Sequence, residues 1–207
     1  MDVKRLVSAR ISHILANYLS RLSKALDSRM TVHVLEADYG IGPLIDVEDA
    51  INAGIEKLLV RNKQEPWFDG FWMNEYGEML FGSLLVVSQA YCVASVADIN
   101  KIRESLGLVK LSKKDAYNDH HSANQGFSLI ELLNSAANCF KHRDEWENGW
   151  PNNYTTKTLH AFSITAETEF PINVVLQLIE FDSGYKKITN LVSEWREGLI
   201  VKAKNKN

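Results

Sequence analysis

The chain has 207 residues, 45% of them hydrophobic and 24% charged, close to the average for globular domains. That balance excludes a disordered chain, a collagen and a disulfide-dense mini-protein, and the length suffices to bury a core without metal or disulfide staples. A net charge of −3, from 23 Lys and Arg against 26 Asp and Glu, excludes a uniformly basic nucleic-acid binder.

Residues 3–28 read as an amphipathic helix. Val7, Ile11, Ile14, Tyr18, Leu22 and Leu26 recur at spacings of three and four, with basic residues over much of the remainder. The stretch that follows breaks this period: Val32 and Val34 alternate as in a short strand, and Gly40, Gly42 and Pro43 are turn residues. A second helix is expected from Asp46, whose carboxylate can cap the first-turn amides, to about Asn62. Its inward residues are Val47, Ile51, Ile55, Leu58 and Leu59. Residues 65–78 read as a loop carrying Trp67, Phe68, Phe71, Trp72 and Tyr76. The acidic Glu65, Asp69 and Glu75 among them disfavour stacking on nucleic-acid bases, so the rings are expected to close one end of a bundle.

From Met79 to Ala97 the chain runs 19 residues without a charge. A bilayer span needs ~20 apolar residues. Ser83, Ser88, Gln89 and Ser95 interrupt the stretch, however, and a helix that is apolar all round also suits the centre of a bundle. A buried helix over about 78–105 is expected, and no membrane. Cys92 and Cys139 fall in apolar helical stretches as free buried thiols, and the charged, amphipathic first residues lack the apolar core of a signal peptide. Both point to a reducing cytoplasm.

Ser128 and Glu131 form a capping box that opens a helix running to about Glu147, where Asn148, Gly149 and Pro151 stop it. Ile130, Leu133, Ala137 and Phe140 are its inward stripe. After an ambiguous stretch, Pro171 starts a short helix through Ile179. A last amphipathic helix covers 183–203, with Tyr185, Ile188, Val192, Trp195 and Leu199 inward. With no repeat and no composition shift, the expected fold is all-α. It is one domain over 1–207, a single bundle of five to six helices around a long apolar central helix.

The chemistry-bearing residues concentrate in 131–150. Asn134, Asn138 and His142 stand at i, i+4 and i+8, so they share one side of the capped helix, from Glu131 to Glu145 or Trp146. A histidine flanked by Lys141 and Arg143, with amides a turn away, can act as general base beside groups that hold a phosphate. The commoner reading of such a side is a solvated polar face, and both stand at this point. Arg143 points ~100° away from His142 on a helix, a poor geometry for joint action within one chain.

The run from Ala137 to His142 resembles the motif of bacterial HEPN-type proteins, in which an Arg, commonly followed by Asn, precedes a His on a late helix. Asn138 and His142 match it, and Ala137 stands where the family has Arg. The resemblance implies a helical bundle of a bacterial defence or toxin–antitoxin system. Many members are metal-independent ribonucleases whose His and Arg act on the RNA 2′-hydroxyl and phosphate. With Ala137 in place, the implied function is a non-catalytic interaction or regulatory module with a protein partner or a second copy. The alternative is an active ribonuclease with His142 as base and Asn138, Lys141 and Arg143 orienting phosphate, RNA then being the partner.

No cofactor or metal is expected. His120 and His121 near Asp115 and Asp119 lack a third ligand at a defined spacing, and adjacent histidines rarely bind one ion. There is no nucleophile elbow and no Walker loop, and the Gly40–Gly42 pair lacks the strand–loop–helix context of a dinucleotide site. The charge is unevenly distributed. Residues 1–29 and 183–207 each hold six Lys and Arg against two Asp and Glu, whereas 30–182 hold eleven against twenty-two. The two basic helices either form one basic face or pack on the acidic middle and neutralise it; the second is expected.

Overall fold

Gly40 lies flat on the ring of Tyr91, where a Cβ would stand 3.2 Å from the nearest ring carbon. From this close approach a helix, α1, runs Ile41–Gln64. It starts five residues before the sequence suggests. Pro43 falls in the first turn, where no amide hydrogen is needed, so it opens the helix rather than a turn. The computed structural model describes residue 20 and residues 38–118, 122–146, 149–182 and 184–204. The amphipathic stretch 3–28, the Val32 and Val34 alternation, and Asp119, His120 and His121 lie outside the described residues.

The second helix, α2, spans Gly70–Ser105, 36 residues. The Asp69 carboxylate accepts from the amides of Phe71 at 3.0 Å and Trp72 at 3.3 Å, which fixes the start. Most of the expected aromatic loop is therefore helix, because Asp69 acts as a cap and not merely as a loop charge. α2 is long and apolar enough to cross a membrane by length and composition, and half of its most apolar window is buried within the protein.

Two short helices, α3 (Lys113–Tyr117) and α5 (Tyr154–Ala161), arise where no period was legible. Each starts at a side-chain cap, Ser112 and Asn153 respectively. After α3, residues Ser122–Asn124 (β1) pair antiparallel with Phe127–Ser128 (β2). Gln125 and Gly126 turn between them at φ 45° and 83°. The predicted capping box is present: α4 spans Leu129–His142, Ser128 Oγ accepts from Glu131 N, and Glu131 Oε2 accepts from Ser128 N. A 3₁₀ turn then carries the chain over Arg143–Trp146. α6 spans Pro171–Gln177 and widens into a π-type turn over Leu178–Asp182, and α7 spans Ile188–Lys204.

The fold is all-α, with seven helices among the described residues around the long α2. Its core joins Leu84, Leu85 and Ile99 of α2 to Leu132, Leu133 and Ala136 of α4 and to Val192, Trp195 and Leu199 of α7. α2 and α4 meet most tightly at Gly82, whose missing Cβ would lie 2.2 Å from the Phe140 ring. Leu59, expected inward, is 46% exposed on α1.

Two buried glutamates serve the helices across the bundle. Glu78 of α2 accepts from Ile172 N at 2.8 Å and Asn173 N at 3.0 Å, at the start of α6. Glu48 of α1 accepts from Ile188 N at 2.7 Å and Thr189 N at 3.3 Å, at the start of α7. Each carboxylate answers the unpaired first-turn amides of a helix far along the chain, so neither those amides nor the buried carboxyl lacks a hydrogen-bond partner.

Candidate functional site

From Glu131 to Asn138 the polar side of α4 is not a solvated face. Glu131 and Asn134 are buried, Asn138 is half-buried, and the side turns toward α2, where Gln89 is itself only 7% exposed. Gln89 Nε2 donates to Asn134 Oδ1 at 2.8 Å, to Asn138 Oδ1 at 2.9 Å and to the Asn134 carbonyl at 3.1 Å. Lys141 Nζ donates to Gln89 Oε1 at 2.7 Å, and Asn138 Nδ2 reaches Thr155 Oγ1 of α5 at 3.5 Å. A buried amide costs free energy unless its donors and acceptor are matched, and α4 supplies both kinds of partner.

Lys113 of α3 lies near Lys141. Burial, and then the neighbouring Lys141 charge, hold its ammonium below the usual lysine range, and it sits 5.2 Å from the centre of the Tyr117 ring. Sequence reading found Asn138 and Lys141 but missed Gln89 and Lys113. The signal for Gln89 was present, since an amide in the middle of a charge-free stretch must find partners if that stretch is core.

His142 and Arg143 lead elsewhere. His142 Nδ1 pairs with Glu145 Oε1 at 3.0 Å on the exposed flank of the 3₁₀ turn, and Nε2 has no hydrogen-bond partner among the described residues. Arg143 Nη2 lies 3.5 Å from Met79 Sδ and borders a cavity of about 140 Å³ that Glu75, Glu78 and Glu169 also line. The four sequence-predicted site residues thus divide: Asn138 and Lys141 converge on Gln89, His142 is held by Glu145, and Arg143 faces carboxylates. Ala137 is fully buried. Cys139 borders the same cavity, and burial, with Glu78 adding to it, pushes its thiol up to about 11. Cys92 is also a free buried thiol. Among the described residues no three His, Cys, Asp or Glu side chains group as a metal site.

Part of the aromatic segment gathers around Arg61 of α1. Its guanidinium stands 4.5 Å from the Phe68 ring centre and 4.7 Å from that of Trp67, while Nε pairs with Glu65 at 2.9 Å. Phe68 is fully buried; Trp67, Phe71, Trp72 and Tyr76 remain exposed.

The outward side of α2 continues that exposure. Trp72, Tyr76, Met79, Ser83, Val87, Ala90, Ala94 and Ala97 follow one another at three and four residues, and all are exposed. The stripe carries no charge over its whole length of about 38 Å, at 1.5 Å per residue. The chain matches no family model, no curated protein and no solved structure.

Proposed function

We propose that the protein is a helical interaction module that pairs with a second copy of itself through the outward side of α2. The observation that carries this reading is the uncharged, exposed stripe from Trp72 to Ala97. Contiguous apolar surface on this scale favours burial against a partner. The stripe is graded, with bulky Trp72, Tyr76 and Met79 at one end and Ala90, Ala94 and Ala97 at the other. A two-fold axis perpendicular to α2 runs the two copies antiparallel and sets each bulky end against the partner's small end, which is the self-complementarity a symmetric dimer requires.

The resemblance of Asn138 and His142 to the HEPN motif supports a degenerate HEPN-like protein of a bacterial defence or toxin–antitoxin system. The buried Ala137 in the arginine's position favours binding over catalysis. Light scattering on the purified chain is expected to give a dimer, and Val87→Arg with Ala94→Arg a monomer of unchanged helicity. A wild-type monomer at every concentration sinks the reading.

One observation favours a second reading, metal-independent RNA cleavage. Glu145 holds His142 through Nδ1 and leaves Nε2 unengaged, the arrangement of an oriented base. Incubation with RNA in EDTA discriminates. Cleavage lost in His142→Ala establishes the ribonuclease, and no cleavage by the dimer removes it.

A further inference from the structure

α1, α2 and α6 leave a groove of about 320 Å³ between them. Its floor is apolar, formed by Ile55, Leu58, Met73, Phe81 and Leu176. Gly77 deepens it: a Cβ there would meet only Asn173 Oδ1, at 3.8 Å. The rim is polar and unengaged. Asn74, Asn173, Gln177 and Glu180 border the groove, and none of their side chains makes a hydrogen bond or ion pair among the described residues. Glu180 sits in the π-type turn after α6, an irregularity often found at binding sites. Burial, with the Glu48 carboxylate adding to it, holds its carboxyl above the ordinary range. Among the described residues no Lys, Arg or His lines the groove.

We propose that this groove binds a small organic cation with an apolar body, an arylalkylamine in class, with its ammonium on Glu180 and its ring on the floor between α1 and α2. The volume lies at the lower end of the ~300–1,000 Å³ typical of ligand pockets, which suits a single ring and a short chain. Charge decides the polarity of the occupant. An anion would face an uncompensated carboxylate. A neutral apolar ligand would strip water from Glu180 and return no partner, whereas an ammonium supplies both the counter-charge and a charge-assisted hydrogen bond. The three rim amides can orient whatever polar group the ligand carries beside the amine.

Titrating the full chain with 2-phenylethylamine, and separately with the neutral isostere 2-phenylethanol, while following the resonances of Leu58, Phe81 and Leu176, tests this directly. The amine is expected to bind about tenfold more tightly than the alcohol, the scale of one charge-assisted bond. Glu180→Gln is expected to bring the amine down to the level of the alcohol. Gly77→Val puts a branched side chain into the groove at a helical glycine whose Cβ would meet only Asn173 Oδ1, so it is expected to abolish both while keeping the melting temperature. Equal binding of amine and alcohol overturns the proposal, as does amine binding that survives in Gly77→Val or is absent from the wild type.

Discussion

Glu78 shows what a single buried carboxyl does in this bundle. Two backbone amides of α6 and the nearby Arg143 favour its charged form, yet burial outweighs them and holds its pKa above the ordinary value of 4.5. The folded state therefore binds this proton more tightly than the unfolded chain does. Its contribution is fully present below the unfolded value and is lost as pH rises through the folded one. Glutamine at this position cannot titrate. Urea midpoints for wild type and Glu78→Gln between pH 4 and pH 7 should show the wild type losing ground to the variant as pH rises, whatever constant offset the missing acceptor adds. A difference that stays flat with pH would mean that Glu78 titrates alike in the folded and unfolded chain.

Between elements, α2 is tied to α4 through Gln89. Three donor contacts and one acceptor contact pass through this amide, and its partners lie 45 to 52 residues along the chain. Gln89→Leu keeps the volume and removes every one of them, leaving Asn134 buried without its partner and Lys141 without its acceptor. A buried polar group left unsatisfied costs about 1–3 kcal/mol, so the variant should lose about 3 kcal/mol in chemical denaturation. A loss under about 1 kcal/mol would mean that water replaces the amide and that the α2–α4 tie is weak.

The same range of separations explains what sequence reading could see. The capping box of Ser128 and Glu131 was legible because both halves lie within one turn, and the inward face of α7 because its period is local. Asp69 was readable as a cap in principle, but the aromatics around it masked the helix they begin. Gln89, Glu48 and Glu78 act on residues 45 to 141 positions away, and no periodicity carries that information. For the candidate site the consequence is direct. Spacing put Asn134, Asn138 and His142 on one side of α4, but only packing decided that the first two face α2 while His142 faces Glu145.

For the molecule as a whole, the question is where the basic C-terminal helix directs its charge. Arg196 of α7 is buried, with Nε 3.7 Å from Asp38, and Lys187 ahead of the helix meets Asp49 of α1 at 2.6 Å. Both carboxylates belong to the acidic middle of the chain, so two of the six cations in this block pair with the chain's own acids, Arg196 inside the fold and Lys187 at its surface. Asp38 also accepts from the Tyr91 hydroxyl and from Ile41 N, and so ties α7 to the start of α1 and the middle of α2. Asp38→Asn keeps a side chain that can still bond Tyr91 and Ile41 but removes the charge facing a buried guanidinium. Breaking one side of a buried pair costs several kcal/mol, but Asp38 is partly exposed and Arg196 makes a further contact, so about 2 kcal/mol is expected. Lys187→Met, on an exposed pair, should cost under about 1 kcal/mol. The two should also part in salt. At about 0.5 M NaCl the exposed pair is largely screened while the cost at Asp38 persists. If both substitutions cost the same and fade together with salt, Asp38 and Arg196 do not act as a buried pair.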